Sequence, residues 1–163
     1  VTAANRVGLG TDIHRLHPGR KLILGGVDVP SETGFDTPSD GDVLCHALLD
    51  ALAGALSDGD LGAHFPGDND PAAQGAVSIE YVERMASLLA RRTATVQHID
   101  SYISLGTTRL APHLAAMSAN IAAALRIPAE RVSVKARTND GLGPEGEGTA
   151  ASATVVVLVA VPE

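Results

Sequence analysis

The chain has 163 residues, with 12 Lys plus Arg against 19 Asp plus Glu, a formal net charge of −7. That length suits one domain over residues 1–163 with its own core, and the acidic balance excludes unspecific nucleic-acid binding, which needs a basic surface. Hydrophobic residues make up 45% but aromatics only 2%, with no Trp, so the core must be aliphatic, a kind that often gains stability by oligomerising.

The single cysteine, Cys45, excludes an internal disulfide and fits a reducing compartment. The first residues carry no basic-then-apolar signal pattern, and the apolar run from Ala153 to Val161 is too short to cross a bilayer. A soluble, cytoplasmic protein with no membrane partner is expected.

Val7, Leu9, Thr11 and Ile13 alternate with Gly8, Gly10, Asp12 and His14, the period of a strand. The alternation puts Asp12 and His14 on one face, and the two glycines before them leave room for a ligand or another chain. Leu22 to Val29, broken by Gly25-Gly26, predicts a hairpin. Ser31 to Asp42 reads as a surface loop. A helix follows over about Asp42 to Ser57, with Val43, Ala47, Ala51 and Ala55 at fours and Leu44, Leu48 and Leu52 widening the stripe. Asp42, His46 and Asp50 share one face of it, so either carboxylate is placed to accept the second ring N–H of His46.

Asp58 to Pro71 is a second loop rich in carboxylates and turn residues. Tyr81, Met85, Leu88 and Leu89 predict a helix over about Ser78 to Arg92. Thr95 to Leu105 reads as a strand. Leu110, Leu114, Met117, Ile121 and Leu125 mark a third helix, stopped near Pro128. Arg131 to Thr138 alternates as a strand with Val132 and Val134 inward. The loop Asn139 to Gly148 then leads to a strand from Thr149 to Val161, apolar nearly throughout and expected to be buried on both faces. This order predicts an α+β fold: one mixed four-stranded sheet, helices packed on one side, and a short N-terminal hairpin.

One carboxylate and two imidazoles, Asp12, His14 and His46, make a three-ligand set that suits zinc and leaves a fourth position for a substrate oxygen. Each part also has an ordinary explanation. Asp and His two apart on a strand are common, and Ser-Asp-Gly-Asp before a helix is well explained as an N-cap with first-turn acids. Lys135 to Asp140 would serve as a strand end and turn. The joint occurrence of these parts, in this order, favours a site.

The strings Gly-Thr-Asp-Ile-His, Leu-Gly-Gly-Val with Pro30, Ser-Asp-Gly-Asp-Val-x-x-His-Ala-Leu-x-Asp-Ala-Leu, Gly-Asp-Leu-Gly-x-x-Phe-Pro, Lys-Ala-x-Thr-x-Asp-x-Leu-Gly and Gly-Glu-Gly follow one another from Arg6 to Val161. Together they resemble the 2-C-methyl-D-erythritol 2,4-cyclodiphosphate synthase family, most densely over Ser39 to Phe65. The resemblance implies conversion of 4-diphosphocytidyl-2-C-methyl-D-erythritol 2-phosphate into the cyclic diphosphate and CMP, a step of non-mevalonate isoprenoid biosynthesis. It also implies a homotrimer with active sites between subunits. By position, Asp12, His14 and His46 would bind one Zn²⁺ per subunit, and Asp140 a second divalent ion, Mg²⁺ or Mn²⁺, arriving with the substrate. Thr138 would touch the phosphates. Ser39, Asp60, Leu61, Gly62 and Phe65, with Asp68 or Asp70, would line the methylerythritol pocket. Leu105 to Ala111, including Arg109, and Lys135 to Thr138, including Arg137, would form the cytidine side from the adjacent chain. The other readings in view are a zinc-site relative acting on another diphosphate and a catalytically weak trimeric binding protein.

The chain departs from the family pattern at several points. Pro38 stands where the family has His before Ser-Asp-Gly-Asp, removing a side-chain donor. Phe65-Pro66-Gly67-Asp68-Asn69-Asp70 is one residue longer than the usual segment, and Thr108-Arg109 replaces a Pro-Lys pair. The loop from Gly143 to Gly148 is two residues shorter and carries Glu145 and Glu147 but no Arg, so binding of an isoprenoid diphosphate in the trimer cavity is not expected.

Overall fold

The structure, a computed structural model, describes residues 2–65, 67 and 70–163. Strand β1 (Ala3–Pro18) is followed by the short strands β2 (Leu22–Leu24), β3 (Val27–Val29) and β4 (Thr33–Phe35). Then come helix α1 (Val43–Ala55), the single turn α2 (Leu61–His64) and helix α3 (Ser78–Arg91). Strand β5 (Thr95–Ser104), helix α4 (Leu114–Leu125), strand β6 (Val132–Arg137), the short helix α5 (Gly143–Gly146) and strand β7 (Ala150–Pro162) complete the chain.

The α+β class and the mixed sheet agree with the sequence reading, but the sheet has five strands, in the order β4-β1-β7-β5-β6. The strand the sequence missed is β4. Its three residues are too few to show a period, and β1 recruits them by running on to Pro18 and pairing Leu16 with Phe35. Among the described residues only β5 and β6 run parallel, with the α4 crossover between them. The β2–β3 hairpin forms as expected, because Gly25 and Gly26 both take positive φ (56° and 71°), which a two-residue turn of this hand requires. The 139–148 loop is also more ordered than its composition suggests, since it contains α5.

Helix α1 lies across β1 and β7 and is buried on nearly every side. Asp42 caps it, its Oδ1 accepting the backbone N–H groups of Leu44 and Cys45 at 3.1 Å. Its Oδ2 accepts Gly26 N–H at 2.8 Å, tying the hairpin turn to the helix start. Helix α3 packs on α1 with Tyr81, Val82, Met85, Ala86 and Leu89 inward, and α4 packs on α3.

The glycines of β1 admit a helix rather than a ligand or another chain. A Cβ on Gly8 would lie 1.8 Å from the Ala51 carbonyl oxygen, and one on Gly10 1.9 Å from that of Ala47. Only hydrogen at those two positions lets α1 approach so closely. The second correction concerns β7. Ala151, Ala153, Val155, Val157 and Val159 are buried beneath the helices, but among the described residues no helix covers the other face. There Val156 is 42% exposed, beside Val7 at 67% and Leu9 at 64% on β1. Apolar residues on both faces of a strand thus coincide with helices on only one.

Candidate metal centre

The end of β1 and the first turn of α1 meet at Asp12, His14 and His46. In the β1–β7 register Asp12 pairs with Ala153 and His14 with Ala151, so small neighbours leave space beside both side chains. Asp12 Oδ2 is 3.0 Å from His14 Nε2 and 3.0 Å from His46 Nδ1, and the two ring nitrogens are 3.3 Å apart. Among the described residues this is the one group of three or more His, Cys, Asp or Glu side chains whose donor atoms converge within 4.8 Å. One anionic oxygen and two imidazole nitrogens so arranged fit a divalent metal with N/O preference.

The electrostatics suit the same purpose. Burial alone would raise the Asp12 carboxyl, but hydrogen bonds from His14 and His46 and their positive charge outweigh it and hold the group well below the usual carboxylate range. Burial disfavours charge on His46, yet the Asp12 hydrogen bond and the charges of Asp12, Asp42 and Asp40 raise it above the ordinary imidazole value. The second ring nitrogen of His46 meets neither helix neighbour proposed from the sequence. Asp42 is spent on the helix cap, and Asp50 accepts the Leu61 N–H at 2.6 Å. Instead His46 Nε2 lies 2.9 Å from the hydroxyl of Ser78, which also bonds Asp40. Sequence reasoning missed this pair, 32 and 6 residues from His46; the only signal was the first acid in Ser-Asp-Gly-Asp, Asp40.

A cavity of about 180 Å³ opens beside the triad, and Ser39, Leu61, Gly62 and Phe65 are among the residues that line it. The Asp50–Leu61 bond fixes α2 against α1 and so sets that wall. Tyr81, unforeseen, stacks on Phe65 with ring centroids 4.5 Å apart. Asp60 and Asp70 do not border this cavity; each caps a turn, accepting the N–H of Ala63 and Ala72 respectively. Asp68 lies outside the described residues. The Pro38 carbonyl accepts the Gly75 N–H at 2.9 Å, so this residue anchors its loop to the segment before α3.

The other expected site residues gather elsewhere. Arg137, Thr138 and Asp140 line an open groove of about 710 Å³, and none of them borders the triad's cavity. Asn139 and Asp140 both have left-handed backbones (φ 58° and 52°), a costly arrangement, and Thr138 Oγ1 accepts the Asp140 N–H at 3.3 Å. Arg137 lies over the Tyr102 ring at 3.7 Å, and Lys135 is paired with Asp100. Arg109 and Ala111 are exposed, whereas Leu105 is part of the core. Among the described residues no helix is long and apolar enough to cross a membrane.

The family model described as "YgbB family" matches residues 5–160. The 2-C-methyl-D-erythritol 2,4-cyclodiphosphate synthases of Pelobacter propionicus and Trichlorobacter lovleyi are each 47% identical over 154 residues. The match covers 94% of this chain and 97% and 98% of theirs, respectively. A solved 2C-methyl-D-erythritol-2,4-cyclodiphosphate synthase in its CDP-bound form superimposes with a TM-score of 0.85 at 35% identity, over 94% of this chain and 99% of that one. The bifunctional IspDF of Campylobacter jejuni gives a TM-score of 0.93 at 30% identity over 99% of this chain, which spans only 44% of that protein.

Proposed function

Because the chain belongs to the YgbB family, we propose that it converts 4-diphosphocytidyl-2-C-methyl-D-erythritol 2-phosphate into 2-C-methyl-D-erythritol 2,4-cyclodiphosphate and CMP, using two half-sites from adjacent subunits of a homotrimer. Identity of 47% to synthases over nearly the whole length supports this over the two alternatives, a different diphosphate substrate or a binding scaffold. The observation that carries the mechanism is the convergence of Asp12, His14 and His46 in the wall of the cavity that Ser39 and Phe65 also line.

In the reaction the substrate's own 2-phosphate oxygen forms a bond to the β-phosphorus while the bond to the CMP oxygen breaks. The nucleophile is tethered, so the protein's task is orientation and charge neutralisation rather than activation of a side chain. Zn²⁺ held by Asp12, His14 and His46, and Mg²⁺ or Mn²⁺ held at Asp140, would supply that neutralisation as Lewis acids. Ser39, Leu61, Gly62 and Phe65 hold the methylerythritol unit. Thr138 orients the phosphates, and the groove beside Arg137 receives the cytidine half.

The separation of the two regions within one chain supports a shared site, and the exposed apolar face around Val7, Leu9 and Val156 supports a subunit interface. The reading includes a cytoplasmic location. Purified protein incubated with the cytidylated substrate and Mg²⁺ should release CMP and cyclic diphosphate in equal amounts. CMP without the cyclic product would point to the relative with another substrate, and no CMP to the scaffold. Mixing inactive His46→Ala and Asp140→Ala chains should restore part of the activity, because some interfaces then pair two intact half-sites.

A further inference from the structure

One partly buried pair has no part in that scheme: Ser78 at the start of α3 and Asp40 in the loop before α1. Ser78 is fully buried, with its hydroxyl 2.9 Å from His46 Nε2. That hydroxyl also donates to Asp40 Oδ1 in a short hydrogen bond. Asp40 Oδ2 accepts the Ser78 backbone N–H at 2.9 Å, and Oδ1 accepts the Asp42 N–H at 3.3 Å. All three contacts bring donors to the Asp40 oxygens. The single hydroxyl proton of Ser78 is therefore committed to Asp40. What Ser78 turns toward His46 is a lone pair, so the 2.9 Å contact is a hydrogen bond only when Nε2 carries the proton. Nδ1 donates its proton to Asp12 Oδ2 while the ring is charged; once the ring is neutral, as metal binding requires, the proton kept at Nε2 leaves Nδ1 its lone pair, facing Asp12 Oδ2 and His14 Nε2.

We propose that Ser78, oriented by Asp40, is a positioning residue that holds His46 in the Nε2–H tautomer and so presets Nδ1 as a metal ligand. The inference rests on the reading that a divalent metal occupies the Asp12–His14–His46 site. Capping of α3 is a separate task, because Asp40 performs it through the Ser78 backbone N–H, which survives removal of the hydroxyl. Partners that orient a ligating histidine are typically worth about 10–100-fold in metal affinity.

Two measurements test the proposal, using Zn²⁺ alone without substrate, so that its failure is distinct from a failure to form the cyclic product. In the first, Ser78→Ala and wild type compete with a chromophoric chelator for Zn²⁺. The variant is expected to bind about 10–100-fold more weakly, and unchanged affinity overturns the proposal. In the second, ¹⁵N NMR of the His46 ring in zinc-loaded wild type should show a protonated Nε2 and a metal-shifted Nδ1. Zinc on Nε2, or an Nε2 without its proton, overturns it. The second result decides alone if Ser78→Ala does not fold.

Discussion

Gly10→Ala separates the two elements that build the metal centre. Gly10 precedes Asp12 on the same face of β1, directly beneath α1. A Cβ there would sit 1.9 Å from the Ala47 carbonyl oxygen and 2.7 Å from the Ala51 nitrogen. Both are helix backbone atoms, so no side chain can rotate out of the way. Moving the nearer contact from 1.9 Å to 3.4 Å requires β1 and α1 to part by about 1.5 Å. His46 rides on α1, adjacent in sequence to Ala47, while Asp12 and His14 stay on β1. Metal sites tolerate ligand displacements of only about 0.2 Å, so the shift is several times too large for the triad to close on one ion. Overpacking typically costs about 1–3 kcal/mol. A backbone clash belongs at the upper end, which for a domain of this size lowers Tm by roughly 6–12 °C. Thermal melts at fixed protein concentration and a Zn²⁺ titration read both effects. The expected result is a lower Tm together with zinc affinity reduced by more than about 100-fold. Wild-type zinc affinity in Gly10→Ala would refute the reasoning, because His46 would then be placed by something other than this contact.

Leu9→Lys puts a charge on the exposed apolar face of β1 and should convert a trimer into monomers by sedimentation, with the far-UV circular dichroism spectrum unchanged; a trimer that persists would remove that face from the interface. Asp42→Asn keeps the helix-cap acceptor but turns an amide donor toward Gly26 N–H, so it should cost about 1–3 kcal/mol in denaturant unfolding, and a neutral result would contradict the cap–hairpin link. Zinc affinity should rise as pH rises from 6 to 8. His46 is held above its ordinary value of 6.5, so more of it is protonated at low pH and that proton must leave before Nδ1 can bind metal. Chelator competition at three pH values checks this, and a flat profile would contradict it. For the metal-free fold the signs are separate. The raised His46 adds stability that is lost as pH rises through its folded value, and the lowered Asp12 adds stability that is lost as pH falls toward its own.

Much of the site was legible because it is local. Asp12 and His14 share a face by strand period, and the apolar fours of α1 fix where His46 points. The resemblance supplied the grouping of Ser39, Leu61, Gly62 and Phe65, which no period reveals. Three features were not legible, each because it depends on tertiary contact. Strand β4 exists only because β1 overruns far enough to pair with it. The role of Gly8 and Gly10 is to admit a helix backbone, yet a glycine in a strand pattern speaks equally for a ligand or a second chain. Ser78 reaches His46 only after α3 has docked on α1, so the helix neighbours Asp42 and Asp50 were the only partners that sequence spacing offered.

Anomalous diffraction at the zinc edge, from crystals of the zinc-loaded protein, tests the central claim most directly. One peak per chain is expected, about 2.0–2.2 Å from Asp12 Oδ2, His14 Nε2 and His46 Nδ1. A peak elsewhere, or none at these three atoms in protein that binds zinc stoichiometrically, would contradict it.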